Sequence, residues 1–258
     1  MEQEERKAAG KRPARKRRKK RWKGILILTA AVLLAAAVIL VLYFVKVDRF
    51  EVEGNRQIPD AMVTGLLYPD EEDTRLYKVL FAQLRGLGKN EAFESASVKL
   101  TGFTSAVITV KESEPAFVIA TDVSANYYNR YGIRLPEPEH LEVAYPKLAG
   151  LGFVRSEMLE KPVFSPENAA VYEQCLSILR TASELGLPAD SLFTQEGRFT
   201  LSFRNVRVSL GSFAHMREKL NEITYQYDYY EGLKGTLHME DFDPDEPGQS
   251  YWFVVDTD

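Results

Sequence analysis

The stretch Ile25–Val45, ILILTAAVLLAAAVILVLYFV, decides how the rest of the chain is read. It carries no charge, and Thr29 is its one strongly polar residue. A helix rises about 1.5 Å per residue, so this stretch covers roughly 30 Å, the hydrocarbon thickness of a bilayer. A core helix of a soluble protein normally keeps a polar stripe, and none is present. A cleaved secretory leader has an apolar run of about 7–15 residues and then a small-residue cleavage site. Here the run is longer and passes through Val41, Leu42, Tyr43 and Phe44 into a strand-like segment. The stretch is therefore expected to be a retained transmembrane helix. Trp22 and Lys23 at one end, and Tyr43 and Phe44 at the other, are the residue types that sit at membrane interfaces.

Working outward, the two flanks differ sharply in charge. Residues 1–24 hold 12 Lys/Arg and 3 Asp/Glu, a net of +9. Residues 46–258 hold 21 Lys/Arg and 34 Asp/Glu, a net of −13. Short basic flanks stay on the cytoplasmic side, so a single span with the N-terminus inside is expected. The basic arm, KRPARKRRKKRWK at its heart, has almost nothing apolar to bury and is expected to be disordered. Its charge is read as a topology signal that also touches anionic lipid, rather than as a nucleic-acid site.

The remaining 213 residues are long enough for one large core or two smaller ones. With one cysteine, Cys175, no intramolecular disulfide forms, and no zinc site based on Cys pairs is possible. The expected fold is α+β, in two portions. Residues 46–114 read as strand, helix, helix, strand, strand. Lys46–Glu53 alternates with Val47, Phe50 and Val52 on one face. Short helices follow around Met62–Leu67 and over Thr74–Leu87, the latter with Leu76, Val79, Leu80, Leu84 and Leu87 as its core stripe. The strands Ala96–Leu100 and Ala106–Glu112 close the unit.

Residues 115–258 read as a second α+β unit with a mostly antiparallel sheet. Pro115–Thr121 is a strand, Tyr127–Ile133 a strand and Gly turn, and Leu135–Gly150 mostly loop. Ser165 and Pro166 start a helix over Glu167–Leu185, with Ala169, Tyr172, Leu176, Leu179 and Ala182 inward. Phe199–Phe203 and Val206–Leu210 form a hairpin. Ser212 is expected to cap a helix carrying Phe213, Met216, Leu220 and Ile223. Gly235–Met239 and Tyr251–Val255 are the last strands.

Little here resembles catalytic machinery. No nucleophile elbow, phosphate loop, dinucleotide fingerprint or zinc-ligand pair occurs, so no cofactor, metal or enzymatic activity is expected. Cys175 falls mid-helix beside the apolar face, the place of a small buried hydrophobe. His140, His215 and His238 lie far apart. The acidic runs Asp70–Asp73 and Glu240–Glu246 lack the ligand spacing of a calcium loop and read as solvated loops. Aromatic residues are the surplus: YQYDYY at Tyr225–Tyr230 and Tyr251-Trp252-Phe253 near the end. Alternation puts Tyr251, Phe253 and Val255 on one face of the last strand, and Trp252 and Val254 on the other. The strand is either a buried central one or a sheet edge open to a partner strand.

From Lys11 to about Val255 the layout resembles the FtsQ/DivIB family of bacterial cell-division proteins. The resemblance rests on the basic arm, the span, VDRFEVEGNRQI directly after it, ITVKESEPAFVI, YYNRYGIRLPEP, YPKLAG, NVRVSLGS and MREKLNEI, in that order. GTLHM departs from it, with Thr236 or His238 where the family commonly has an acidic residue, and so does the insert FDPDEPGQS. The resemblance implies a POTRA domain over residues 46–114 and a non-enzymatic scaffold in the plasma membrane, enriched at the division septum. It implies two small bitopic coiled-coil partners, FtsB/DivIC and FtsL, and regulation of septal peptidoglycan synthesis. The partner surface would fall on the last strands, with Leu237, Met239, Phe242, Tyr251, Trp252 and Val254 as contacts and Trp252 and Phe242 as the principal ones. The alternatives are a membrane-anchored POTRA protein of secretion or envelope assembly and an exported cell-wall enzyme.

Overall fold

A computed structural model describes residues 15–120, 124–138, 144–230, 232–246 and 250–256. The chain begins with one long helix, α1 (Arg15–Phe44), of 30 residues. From Trp22 to Val41 every side chain is exposed, and among the described residues nothing covers this apolar surface. A helix of this length and composition with no protein around it is suited to crossing a membrane. The helix also runs through the basic segment Arg15–Gly24, which corrects the expectation of disorder there. Lys and Arg are good helix formers, and no breaker separates them from the span until Gly24, which the helix tolerates. The arm before Arg15 lies outside the described residues.

The chain then builds a small unit from β1 (Arg49–Glu53), α2 (Asp60–Leu67), α3 (Leu76–Arg85), β2 (Phe93–Leu100) and β3 (Ser105–Glu112). The sheet order is β1-β3-β2, with β1 parallel to β3 and β2 antiparallel to it. A parallel neighbour requires a crossover, and α2 and α3 supply it. Ala106, Ile108 and Val110 alternate into the core with Val98, Val63, Leu76 and Val79. Glu112, at the end of β3, accepts backbone N–H bonds from Arg56 (2.9 Å), Gln57 (3.1 Å) and Ile58 (2.9 Å) and so fixes the loop before α2. Leu84 was expected in the core stripe of α3, but it is 75% exposed. Val47 is buried, yet it precedes β1 and pairs through its N–H with the Thr74 carbonyl at 2.8 Å.

A second sheet of nine strands follows: β4 (Phe117–Ala120), β5 (Ala125–Tyr128), β6 (Arg134–Leu135), β7 (Lys147–Ala149), β8 (Ser191–Gln195), β9 (Arg198–Phe203), β10 (Val206–Gly211), β11 (Gly235–His238) and β12 (Trp252–Val255). Its order is β12-β11-β10-β9-β8-β7-β4-β5-β6. The sheet is mixed, with antiparallel joins in the majority as expected, while β4–β7, β7–β8 and β10–β11 are parallel. Two of these joins are helical crossovers, through α4 (Pro166–Glu184) and through α5 (Met216–Tyr225) with α6 (Tyr227–Tyr230). β7 and β8 fall where a loop or no element was expected. β7 has three residues, too few to show a period, whereas the five-residue β8 does alternate, with Leu192 and Thr194 buried.

Helices α4 and α5 cover one face of this sheet, where Leu192, Leu201, Phe203, Val208 and Leu237 meet Cys175, Leu176, Ile178, Leu220 and Ile223. Ala169 is exposed, and Cys175 and Ile178 take the inward positions instead. α5 starts at Met216, three residues after the expected first turn, because His215 adopts a left-handed conformation (φ 53°) that no helix interior accepts. Lys219 is buried and donates to the Leu210 carbonyl at 2.5 Å, tying α5 to β10.

The two sheets share a seam. Ile133, Leu135 and Leu159 pack into the core of the smaller unit, although they follow residue 114. Buried Asn129 spans the junction, donating to the Glu91 carbonyl (2.6 Å) and accepting from the N–H groups of Tyr131 and Ile133 (3.0 Å each). Removing a fully buried branched side chain costs transfer energy plus a cavity, about 2–5 kcal/mol. Ile108→Ala is therefore expected to lower the urea midpoint of the portion after α1, with the slope unchanged.

Candidate functional site

Strand β12 ends the nine-stranded sheet, and among the described residues no strand pairs with its outer side. The opposite edge, β6, is closed: the Arg134 N–H donates to the Glu160 carbonyl at 3.0 Å, and the Leu159 N–H donates to the Arg134 carbonyl at 2.8 Å. Open edges are usually guarded by a charge or a proline. Trp-Phe-Val-Val has neither.

The register pairs Thr236 with Val254 and His238 with Trp252, and the Asp256 N–H donates to the Lys234 carbonyl at 3.0 Å. Antiparallel ladders alternate bonded and non-bonded pairs. Residues 252, 254 and 256 therefore spend their N–H and C=O groups on β11, and those of Phe253 and Val255 point outward. Two outward residues give a partner strand a short ladder of donors and acceptors.

The side chains divide as alternation requires. Trp252 (51% exposed) and Val254 (47% exposed) stand on the sheet face that no helix covers. The Trp252 ring stacks on His238, with centroids 5.1 Å apart and planes 10° from parallel. His238 in turn meets the Glu240 carboxylate at 3.0 Å through Nδ1. Burial pushes the Glu240 pKa up, but hydrogen bonds to Ser209, its own backbone and His238 outweigh this and leave it below the usual value. A charged carboxylate thus holds the imidazole, and the imidazole supports the indole.

On the covered face, Tyr251 and Phe253 fasten the strand. The Tyr251 hydroxyl donates to Glu222 Oε1 at 2.8 Å and also receives a bond from Gln226. Burial and the Glu222 carboxylate both raise its pKa. Phe253 stacks on Tyr230 at 5.5 Å, and burial pushes the Tyr230 hydroxyl up to about 12. Gly235 opposes Val255, and a Cβ there would collide with the Val254 carbonyl and the Phe253 ring. β12 can lie this close to β11 because residue 235 has no side chain.

Of the six expected contact residues, Trp252 and Val254 are open and Tyr251 is half-buried. Leu237, Met239 and Phe242 are core residues, and Phe242 is 7% exposed, which corrects its expected part as a principal contact. They face the helices because β11 and the turn after it complete the apolar layer. Alternation in GTLHM places His238 on Trp252's face only once the register with β12 is known.

Among the described residues no cluster of three His, Cys, Asp or Glu is placed to hold a metal. Burial pushes the Cys175 thiol up to about 12, so it stays protonated and inaccessible. His140 lies outside the described residues. Compared with protein-family models the chain matches none, and no curated protein matches it either. Gly235→Val is expected to displace β12 without unfolding the sheet, read as faster hydrogen exchange at the Trp252 and Val254 amides and unchanged protection in β9.

Proposed function

We propose that this protein is a non-enzymatic, single-pass membrane scaffold that captures an extended segment of a small partner along β12. The observation that carries the reading is the open edge: outward backbone groups at Phe253 and Val255 beside the exposed Trp252 and Val254. Strand addition takes affinity from main-chain bonds and specificity from side chains on alternate positions. Trp252 fits the second task, since large aromatics on a supported platform dominate interface energetics.

The same edge is where the resemblance to FtsQ/DivIB proteins places the surface for FtsB/DivIC-like and FtsL-like partners. The β-α-α-β-β order and the β1-β3-β2 sheet of residues 49–112 support a POTRA reading of the first unit. On this reading the N-terminus is cytoplasmic, both units lie outside the plasma membrane, and the protein works at the division septum, where it helps regulate peptidoglycan synthesis.

Deleting the last strand also removes the core contacts of Tyr251 and Phe253, so point variants test the edge more cleanly. Trp252→Ala is expected to weaken recovery of the coiled-coil partners by at least about 2 kcal/mol, roughly thirtyfold in Kd. Val255→Pro removes one outward N–H and leaves the pairing with β11 intact, as edge prolines do. Partner recovery unchanged in both variants, with β12 still protected from exchange, sinks the strand-capture reading. In dividing cells a fluorescent fusion should form a mid-cell band, and a uniform envelope signal excludes the divisional assignment.

A further inference from the structure

Helix α3 carries a second apolar stripe that its own core does not use. Tyr77, Phe81 and Leu84 follow i, i+4, i+7 spacing, roughly 140° round the helix from buried Leu76 and Val79. Phe81 and Leu84 are 53% and 75% exposed. Phe103, at the tip of the β2–β3 hairpin, is 76% exposed.

These residues are not scattered. The Leu76 N–H donates to the Val45 carbonyl at 2.8 Å, so α3 starts on the last turn of α1. Tyr77 stacks on Tyr43 at 6.0 Å, next to exposed Phe44. The hairpin tip is tied to the same place: the N–H groups of Asp48 and Arg49 donate to the Thr104 carbonyl at 3.1 Å, and the Leu100 N–H donates to Gln83 Oε1 at 2.8 Å. Two guanidinium groups complete the surface. Arg75 lies 4.5 Å over the Tyr43 ring and Arg85 lies 4.5 Å over the Phe81 ring.

We propose that α3 and the β2–β3 tip dock into the bilayer interface at the C-terminal end of the span, with Phe81, Leu84 and Phe103 in the acyl boundary and Arg75 and Arg85 at phosphate depth. The inference rests on the span reading of α1. The apolar surface of the span runs on through Tyr43 and Phe44 into this stripe, so the lipid that covers the one reaches the other. Aromatic residues with arginine beside them are the interfacial pattern, and an amphipathic helix lying in that plane buries its apolar face a short way into lipid. The first unit would then rest against the membrane on a second contact besides the chain itself.

The test uses the full chain in proteoliposomes of phosphatidylglycerol and phosphatidylethanolamine. Native Cys175 is buried, so an environment-sensitive fluorophore can be placed on single cysteines introduced at Phe81, Leu84 and Phe103. A probe at Leu33 reports the span and one at Arg198, on an exposed hairpin, reports water. Docking predicts blue-shifted emission at 81, 84 and 103 and strong quenching by lipids with a shallow spin label, with Leu33 quenched by a deep one. Phe81→Asp with Leu84→Asp should abolish the quenching at 103. Probes at these three sites as wet as Arg198, with Leu33 still quenched, overturn the docking while leaving the span intact. Blue shift without lipid quenching means a protein covers the face and overturns it as well. An unquenched Leu33 probe removes the span reading and the docking together.

Discussion

The carbonyl of Val45 is where the long apolar helix hands the chain over to the folded portion. A helix end leaves carbonyl groups without intrahelical partners, and at a lipid boundary an unpaired one is costly. Here the Leu76 N–H takes it up at 2.8 Å, and two residues on the Val47 N–H reaches the Thr74 carbonyl at the same distance. Lys46 adds an ion pair with Glu71 at 2.8 Å, exposed and therefore weak, but set in the same clasp. Satisfying the end of the span thus folds the loop before α3 around it and fixes where α3 begins. The β1-β3-β2 sheet packs on α3 and inherits that placement.

Rigidity is passed further by the seam between the two sheets. Ile133, Leu135 and Leu159 complete the smaller core, and Asn129 meets its hydrogen-bonding needs from both sides of the junction. A buried amide with several partners is expensive to open. The nine-stranded sheet is therefore joined to the span through packed contacts as well as through the chain. Its helices lie on one face, which leaves Trp252 and Val254 at the far edge on the uncovered side. That edge combines an open ladder with firm support beneath it from Tyr251, Phe253 and Tyr230. A preformed strand loses little entropy on gaining a neighbour.

Much of this was legible without coordinates. The span, the five-element order of the first unit, the Phe199–Leu210 hairpin, the α4 helix and the two final strands all follow from period and punctuation. What escaped did so for identifiable reasons. β7 is too short, at three residues, to show a period. Leu84 was expected in the core stripe of α3, but at about 100° per residue it lies about 80° from Leu76 and about 140° from Val79, and it faces away with Tyr77 and Phe81. The first turn of α5 was lost to a left-handed His215, which no side-chain pattern records. At the candidate site, alternation sorted Trp252 and Val254 from Tyr251 and Phe253 correctly. It did not separate Leu237, Met239 and Phe242 from the open surface, because all are apolar residues on the strands and turn around one edge.

Sequence alone determined that a charge-free apolar stretch separates a basic arm from an acidic C-terminal portion, that this portion must hold without intramolecular disulfides, and that its last strand is strongly apolar on both faces. These are properties of composition and period, which the unfolded chain already has. Whether that last strand is central or peripheral was left open by both readings of YWFVV. Tertiary structure decided it by seating β12 beyond β11 with no strand outside it among the described residues, because the crossover through α5 and α6 returns the chain to that end of the sheet. Edge status is a relation between segments distant in sequence, and neither strand carries it in its own residues.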